Sequence, residues 1–198
     1  MDKGRLEAFS DGVIAIIITI TILLIDLPDG NDWPDLLAIL PLVLCYFISF
    51  VIIGTNWVNH HHLLQAADQV NGKILWANLL YLFFLSFIPV STGWVGRSSF
   101  APIPVRVYVF VNLLAAISYD ILERLIVHGQ SHTTLKDALL SSRKEVFSII
   151  IETLAFILTF VPGLHIMACP LLLVAYTPWI IPDLRMKKAY EQKSTGKQ

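Results

Sequence analysis

Charge is scarce in this 198-residue chain: Asp, Glu, Lys and Arg together make up 15% of it, against 56% hydrophobic residues and a mean hydropathy of +0.68. So few charges leave too little material for a water-facing surface, and the excess of apolar side chains calls for a solvent other than water. The net charge of −1 offers no basic surface, which excludes nucleic acid as an expected partner. Cysteine is nearly absent; Cys45 and Cys169 both fall inside apolar runs and read as small hydrophobes rather than as a disulfide or metal pair. No H-E-x-x-H occurs, and no nucleophile stands at a useful spacing from a base, so an enzyme is not expected and no cofactor is implied. The first apolar run is not repeated later, which makes the chain one unit rather than a fused pair.

What is abundant is long apolar sequence. Runs extend over about Leu6–Leu27, Leu36–Asn59, Lys73–Thr92, Val105–Val127, Val146–Val161 and Leu164–Ile181. A hydrocarbon core about 30 Å thick takes roughly 20 apolar residues per helix, so these predict an all-α integral membrane protein of six transmembrane helices. The expected layout is a single transmembrane domain over residues 1–186 and a polar cytoplasmic tail over 187–198. The second run continues as a polar helical extension through His60 to Asp68, and a Gly-, Ser- and Pro-rich loop is expected from Gly93 to Pro104. Pro162-Gly163, a turn without charge, predicts a hairpin of the last two helices. Lys3 and Arg5 precede the first run as they would in a signal peptide. That run is too long for an h-region and has no small-x-small site after it, so it is read as a retained helix.

Basic residues fix the expected orientation, because Lys and Arg near span ends stay on the cytoplasmic side. With the N-terminus inside, twelve of the 14 Lys and Arg fall on the cytoplasmic face and only Arg97 and Arg106 fall outside. Both termini are then cytoplasmic. The first outer loop carries Asp29, Asp32 and Asp35 with no base.

Several polar residues lie where a membrane helix should not hold them without reason: Asp11, Thr19, Thr21 and Asp26 in the first run, and Glu152 in the fifth. Asp120 and Arg124 stand four apart, the spacing of a local ion pair, with Glu123 adjacent. His60, His61 and His62 are consecutive and diverge by about 100° each on a helix, so they cannot all reach one metal ion. Thr92-Gly93-Trp94-Val95-Gly96 differs in order from a carbonyl selectivity filter and follows no short pore helix.

At the start of the first run, Arg5-Leu6-Glu7-Ala8-Phe9-Ser10-Asp11 resembles the R-x-x-x-F-S-D signature that opens the pore helix of the TMEM175 family, with all four signature positions matched. The likeness extends more weakly to Trp57-Val58-Asn59-His60-His61-His62 and to the number of spans. It implies a homotetramer whose first helices surround a potassium-conducting path in a lipid bilayer. It also implies a constriction at Ile16, apolar rings at Ile20 and Leu23 beyond it, and a selectivity role for Thr19. For a single-repeat chain without a targeting peptide, the prokaryotic plasma membrane is the expected location.

Helical geometry at 100° per residue places Phe9, Gly12, Ile16, Ile20, Leu23 and Leu27 on one stripe with Thr19 on its flank, and turns Ser10 and Asp11 away. Arg5, Ser10 and Asp11 are therefore expected to form a buried network anchoring that helix against His60, His61 and Asn59 or against Asn78. Isoleucines at this spacing also suit an ordinary packed helix, and a threonine can bond to its own backbone one turn back. Two functions compete. One is a passive potassium-preferring channel gated by a ring of Ile16 side chains; the other is a proton-coupled or proton-conducting transporter using Asp11, Asp120, Glu152 and the histidines. Small size and the absence of a repeat weigh against the transporter.

Overall fold

A computed structural model describes residues 2–67, 69–129 and 144–180. Every regular element among them is helical. In order they are α1 (Lys3–Ile22), α2 (Trp33–Ala38), α3 (Leu40–Ala66), α4 (Gly72–Leu85), α5 (Ile88–Arg97), α6 (Pro102–His128), α7 (Lys144–Leu158), a 3₁₀ turn (His165–Met167) and α8 (Ala168–Ile180). The expected tail, the bases Lys136, Arg143 and Arg185 expected on the cytoplasmic side, Asp68 at the end of the expected polar extension, and the end of the sixth run lie outside the described residues.

Three stretches among the described residues are long and apolar enough to cross a membrane: Leu40–Ala66, Gly72–Arg97 and Pro102–His128. The second is α4 and α5 in near-continuous succession. Helix α1 is long enough but keeps Arg5, Glu7 and Asp11 in its first half. Helix α7 has 15 residues, and 1.5 Å per residue gives it only about 22 Å. The 3₁₀ turn and α8 together form a shorter apolar helix, His165–Ile180.

Side-chain ties show that the helices alternate in direction. Lys3 at the start of α1 donates to the carbonyls of Gln65 and Ala67 at the end of α3. Arg97 at the end of α5 reaches the carbonyl of Leu24 and the carboxylate of Asp26 just past α1. Arg106 near the start of α6 donates to Thr159 just past α7 and lies over the ring of Phe160, 3.9 Å from its centroid. The last two helices form the hairpin expected from Pro162-Gly163, with Gly163 at φ +81°, a conformation that glycine adopts without steric cost. Ser148 of α7 donates to the Ala175 carbonyl and accepts from the Trp179 indole, both on α8.

Three boundaries differ from the sequence reading, the first being that of the second run, which is broken at Ile39 between α2 and α3 instead of running unbroken from Leu36. The expected loop over Gly93–Pro104 is helical up to Arg97 and resumes helix at Pro102. Glycine marks close packing here rather than a loop: a Cβ on Gly96 would stand 2.7 Å from the Leu42 Cα of α3, and one on Gly93 would stand 3.2 Å from Leu24 Cδ1. The stop is a Schellman motif, with Phe100 N–H bonded to Val95 O and Ser99 N–H to Gly96 O, and with Ser99 at φ 49°. The first helix also ends earlier than expected. Leu23, Leu24 and Ile25 close it through three-residue bonds, so Leu27 lies beyond the helix and off its stripe.

The core is built by α1, α3, α4, α5, α6 and α8 around Ile14, Ile52, Ile53, Tyr81, Leu85, Ile88, Leu122 and Leu172, all fully buried. α1 packs on α3, α4 and α5.

Candidate functional site

Helix α1 starts on Asp2, whose side chain accepts from the Gly4 N–H at 3.2 Å. Nearly all its later side chains are apolar, so composition gives it no preferred side. Packing does. Leu6, Ser10, Ile14, Ile17 and Thr21 are buried against the other helices, at the three- and four-residue spacing of one face. The opposite side carries Phe9, Gly12, Ile16, Thr19 and Ile20, all exposed, with Ile16 57% accessible and Leu23 exposed at the C-cap. A whole aliphatic flank of the helix thus has no partner among the described residues. Thr19 Oγ1 donates to the carbonyls of Ala15 and Ile16, which ties its hydrogen to its own helix and leaves the oxygen free to accept.

Behind this flank, polar side chains clasp α1. Ser10 Oγ accepts from Asn78 Nδ2 of α4 at 2.9 Å, and Asn78 Oδ1 meets His60 Nε2 of α3 at 2.6 Å. All three residues are fully buried. The bond to Asn78 oxygen makes Nε2 of His60 the protonated nitrogen. The His60 ring stacks on Tyr81, with centroids 5.5 Å apart. Asp11, one residue on, is half-buried, and its Oδ1 accepts from the Trp57 indole at 2.9 Å. Trp57 in turn stacks on His61.

The anchoring group expected from sequence is therefore divided. Ser10, His60 and Asn78 come together; Asp11 is held by Trp57 instead of by a histidine or asparagine. Arg5 is exposed and makes no hydrogen bond or ion pair among the described residues, because it lies one turn before Phe9 on the open flank. Asn59 points about 100° away from His60 and donates to Thr55 O and Trp179 O, linking α3 to α8. His61 pairs with Gln65. The sequence reading did not name Trp57 as a ligand of Asp11, although it lies three residues before His60 and so on the same side of α3. It also missed a second buried chain, in which Tyr81 donates to Asn56 Oδ1 and Asn56 Nδ2 donates to Tyr176. Asp120 and Arg124 form the local ion pair their spacing suggested, at 2.8 Å.

Known proteins resemble this chain in sequence and in fold. A potassium channel of Chryseobacterium sp. (strain P1-3) is 45% identical over 193 residues, covering 97% of this chain and all of that protein. The chain belongs to the TMEM175 family. The family profile, described as endosomal/lysosomal potassium channel TMEM175, matches residues 5–89, a stretch that opens on the signature arginine and ends early in α5. The fold of a Chamaesiphon minutus homologue of the lysosomal potassium-selective channel TMEM175 superposes with a TM-score of 0.78 at 27% identity, covering 91% of this chain and 97% of the other. The human endosomal/lysosomal proton channel TMEM175 is 43% identical over 75 residues, which is 32% of this chain and 14% of that protein.

Proposed function

We propose that this TMEM175-family protein conducts potassium passively across a prokaryotic cell membrane. In this reading four copies assemble with their α1 helices around a common axis, and the flank of Phe9, Gly12, Ile16, Ile20 and Leu23 lines the path. Six crossings are provided by α1, α3, the pair α4–α5, α6, α7, and α8 with its 3₁₀ turn, within one domain over 1–186 followed by a cytoplasmic tail. The N-terminus is inside. Ile16 forms the narrowest ring, a branched aliphatic collar that excludes water and ions until it widens. Thr19 offers an oxygen to the ion just beyond it.

The observation that carries this reading is the division of α1 between a clasped polar face and an aliphatic one that none of the described residues covers. The descriptions of the Chryseobacterium and Chamaesiphon proteins as potassium channels support it independently. The clasp of Ser10 by Asn78, and of Asp11 by Trp57, holds the helix so that its other side faces the axis.

Purified protein in liposomes under a potassium gradient, with no proton gradient, tests the reading. Flux is expected in the wild type, blocked in Ile16→Trp and raised in Ile16→Ala. Transport that saturates and requires a pH gradient would favour the transporter instead. Unchanged flux in both Ile16 variants would remove that residue from the path.

A further inference from the structure

Away from α1, on α7, Glu152 has no exposed surface, and neither Oε1 nor Oε2 has a hydrogen-bond partner among the described residues. An unpartnered carboxyl is costly inside a membrane protein and is retained where it faces another group or water. Beside it lies a cavity of about 30 Å³ between α3, α6, α7 and α8. That volume holds one or two waters, given that each needs about 10–15 Å³ for its centre and two to four polar partners.

The partners are in place. Tyr176 of α8 accepts from Asn56 Nδ2 at 3.1 Å, and its own hydroxyl hydrogen has no acceptor among the described residues. Asn56 is fixed by the Tyr81 hydroxyl at 3.0 Å, so the position of Tyr176 is held from behind. Across the cavity, the Tyr119 hydroxyl of α6 makes no hydrogen bond among the described residues. The ionisable groups that line the space are Tyr119 from α6, Glu145 from α7 and Tyr176 from α8, while α3 brings only the neutral Thr55, Asn56 and Asn59. Among the described residues no basic side chain lines it. Glu145, two turns before Glu152, lies toward the end of the molecule where α7 begins, close to the buried Glu123 of α6.

We propose that this cavity is a proton-binding site inside each subunit, in which ordered water bridges the Glu152 carboxyl to the Tyr176 and Tyr119 hydroxyls and exchanges protons past Glu145. The step is simple: hydronium gives its proton to the Glu152 carboxylate and remains as the bridging water. With no hydrogen-bond partner for either oxygen among the described residues, the carboxyl takes up one proton per subunit. The site is separate from the α1 flank and does not depend on ion conduction.

Infrared difference spectroscopy on the full-length protein in liposomes, with pH stepped in H₂O and in D₂O, reads it directly. A carboxylic C=O band is expected that shifts down in D₂O, disappears in Glu152→Gln, and moves to higher wavenumber in Tyr176→Phe, where the bridging donor is lost. Proton uptake on acidification should fall by one per subunit in Glu152→Gln. A band that survives in Glu152→Gln, or one that ignores D₂O because the cavity is dry and sealed, would overturn the proposal. If Glu152→Gln fails to assemble, the wild-type D₂O shift and the Tyr176→Phe displacement decide alone, and absence of either counts against the site.

Discussion

The Trp57 indole donates to Asp11 Oδ1 at 2.9 Å across 46 positions of sequence, joining the N-terminal half of α1 to α3. Trp57→Phe keeps the ring and its stacking on His61 but removes the donor. Buried polar contacts in membrane proteins contribute about 0.6 kcal/mol on average and rarely above about 1.7. A loss near the lower figure is expected, since Trp57 is exposed, and thermal unfolding of the detergent-solubilised protein measures it. Asp11→Asn, which keeps an acceptor oxygen, should cost less than Asp11→Ala.

The Ser10, Asn78 and His60 clasp is fully buried and should cost more to break. Asn78→Leu leaves a hydroxyl and an imidazole without partners, each at about 1–3 kcal/mol. Combining Ser10→Ala with Asn78→Ala in a double-mutant cycle should give a coupling of about 0.6–1.7 kcal/mol, whereas a value near zero would mean that the bond does not hold α1 in place.

How much of this was legible in the sequence depends on which physics each residue reports. Apolar runs gave helices α3, α4–α5 and α6 because length and hydropathy are local properties. The clasp was partly legible because Ser10 and Asp11 face away from Ile16 by helical geometry alone. The exact partners were not, since which of Asn59, His60 and Asn78 meets Ser10 depends on the rotation of α3 and α4, and that is set by packing distant in sequence. Gly93 and Gly96 misled for a related reason: glycine signals a loop or a close helix approach equally well, and only the presence of Leu42 opposite decides.

That close approach carries its own prediction. Gly96→Ala brings a Cβ to 2.7 Å from the Leu42 Cα, a backbone position that cannot move away as a flexible side chain could. Overpacking of this kind costs about 1–3 kcal/mol. Gly54→Ala on α3 is the control, because an added Cβ there meets nothing within 4 Å. A lower thermal midpoint for the first and none for the second is expected.

The tie between Arg97 and Asp26, at 3.1 Å, is exposed on both sides. Exposed pairs contribute about 0–1 kcal/mol and are screened by salt. Asp26→Asn should therefore lower stability only slightly in dilute buffer, and the difference should vanish at high ionic strength. A large effect that persists in salt would assign the work to the Arg97 bond with the Leu24 carbonyl.

Because Asn78 grips Ser10 and Trp57 grips Asp11 at adjacent positions, α1 is pinned at two azimuths roughly 100° apart. A helix pinned so cannot spin on its own axis without breaking one bond or the other. In the proposed channel, a movement that widened a collar of Ile16 side chains would have to tilt or slide α1 together with α3 and α4 as a block, like a stave leaning out of a barrel.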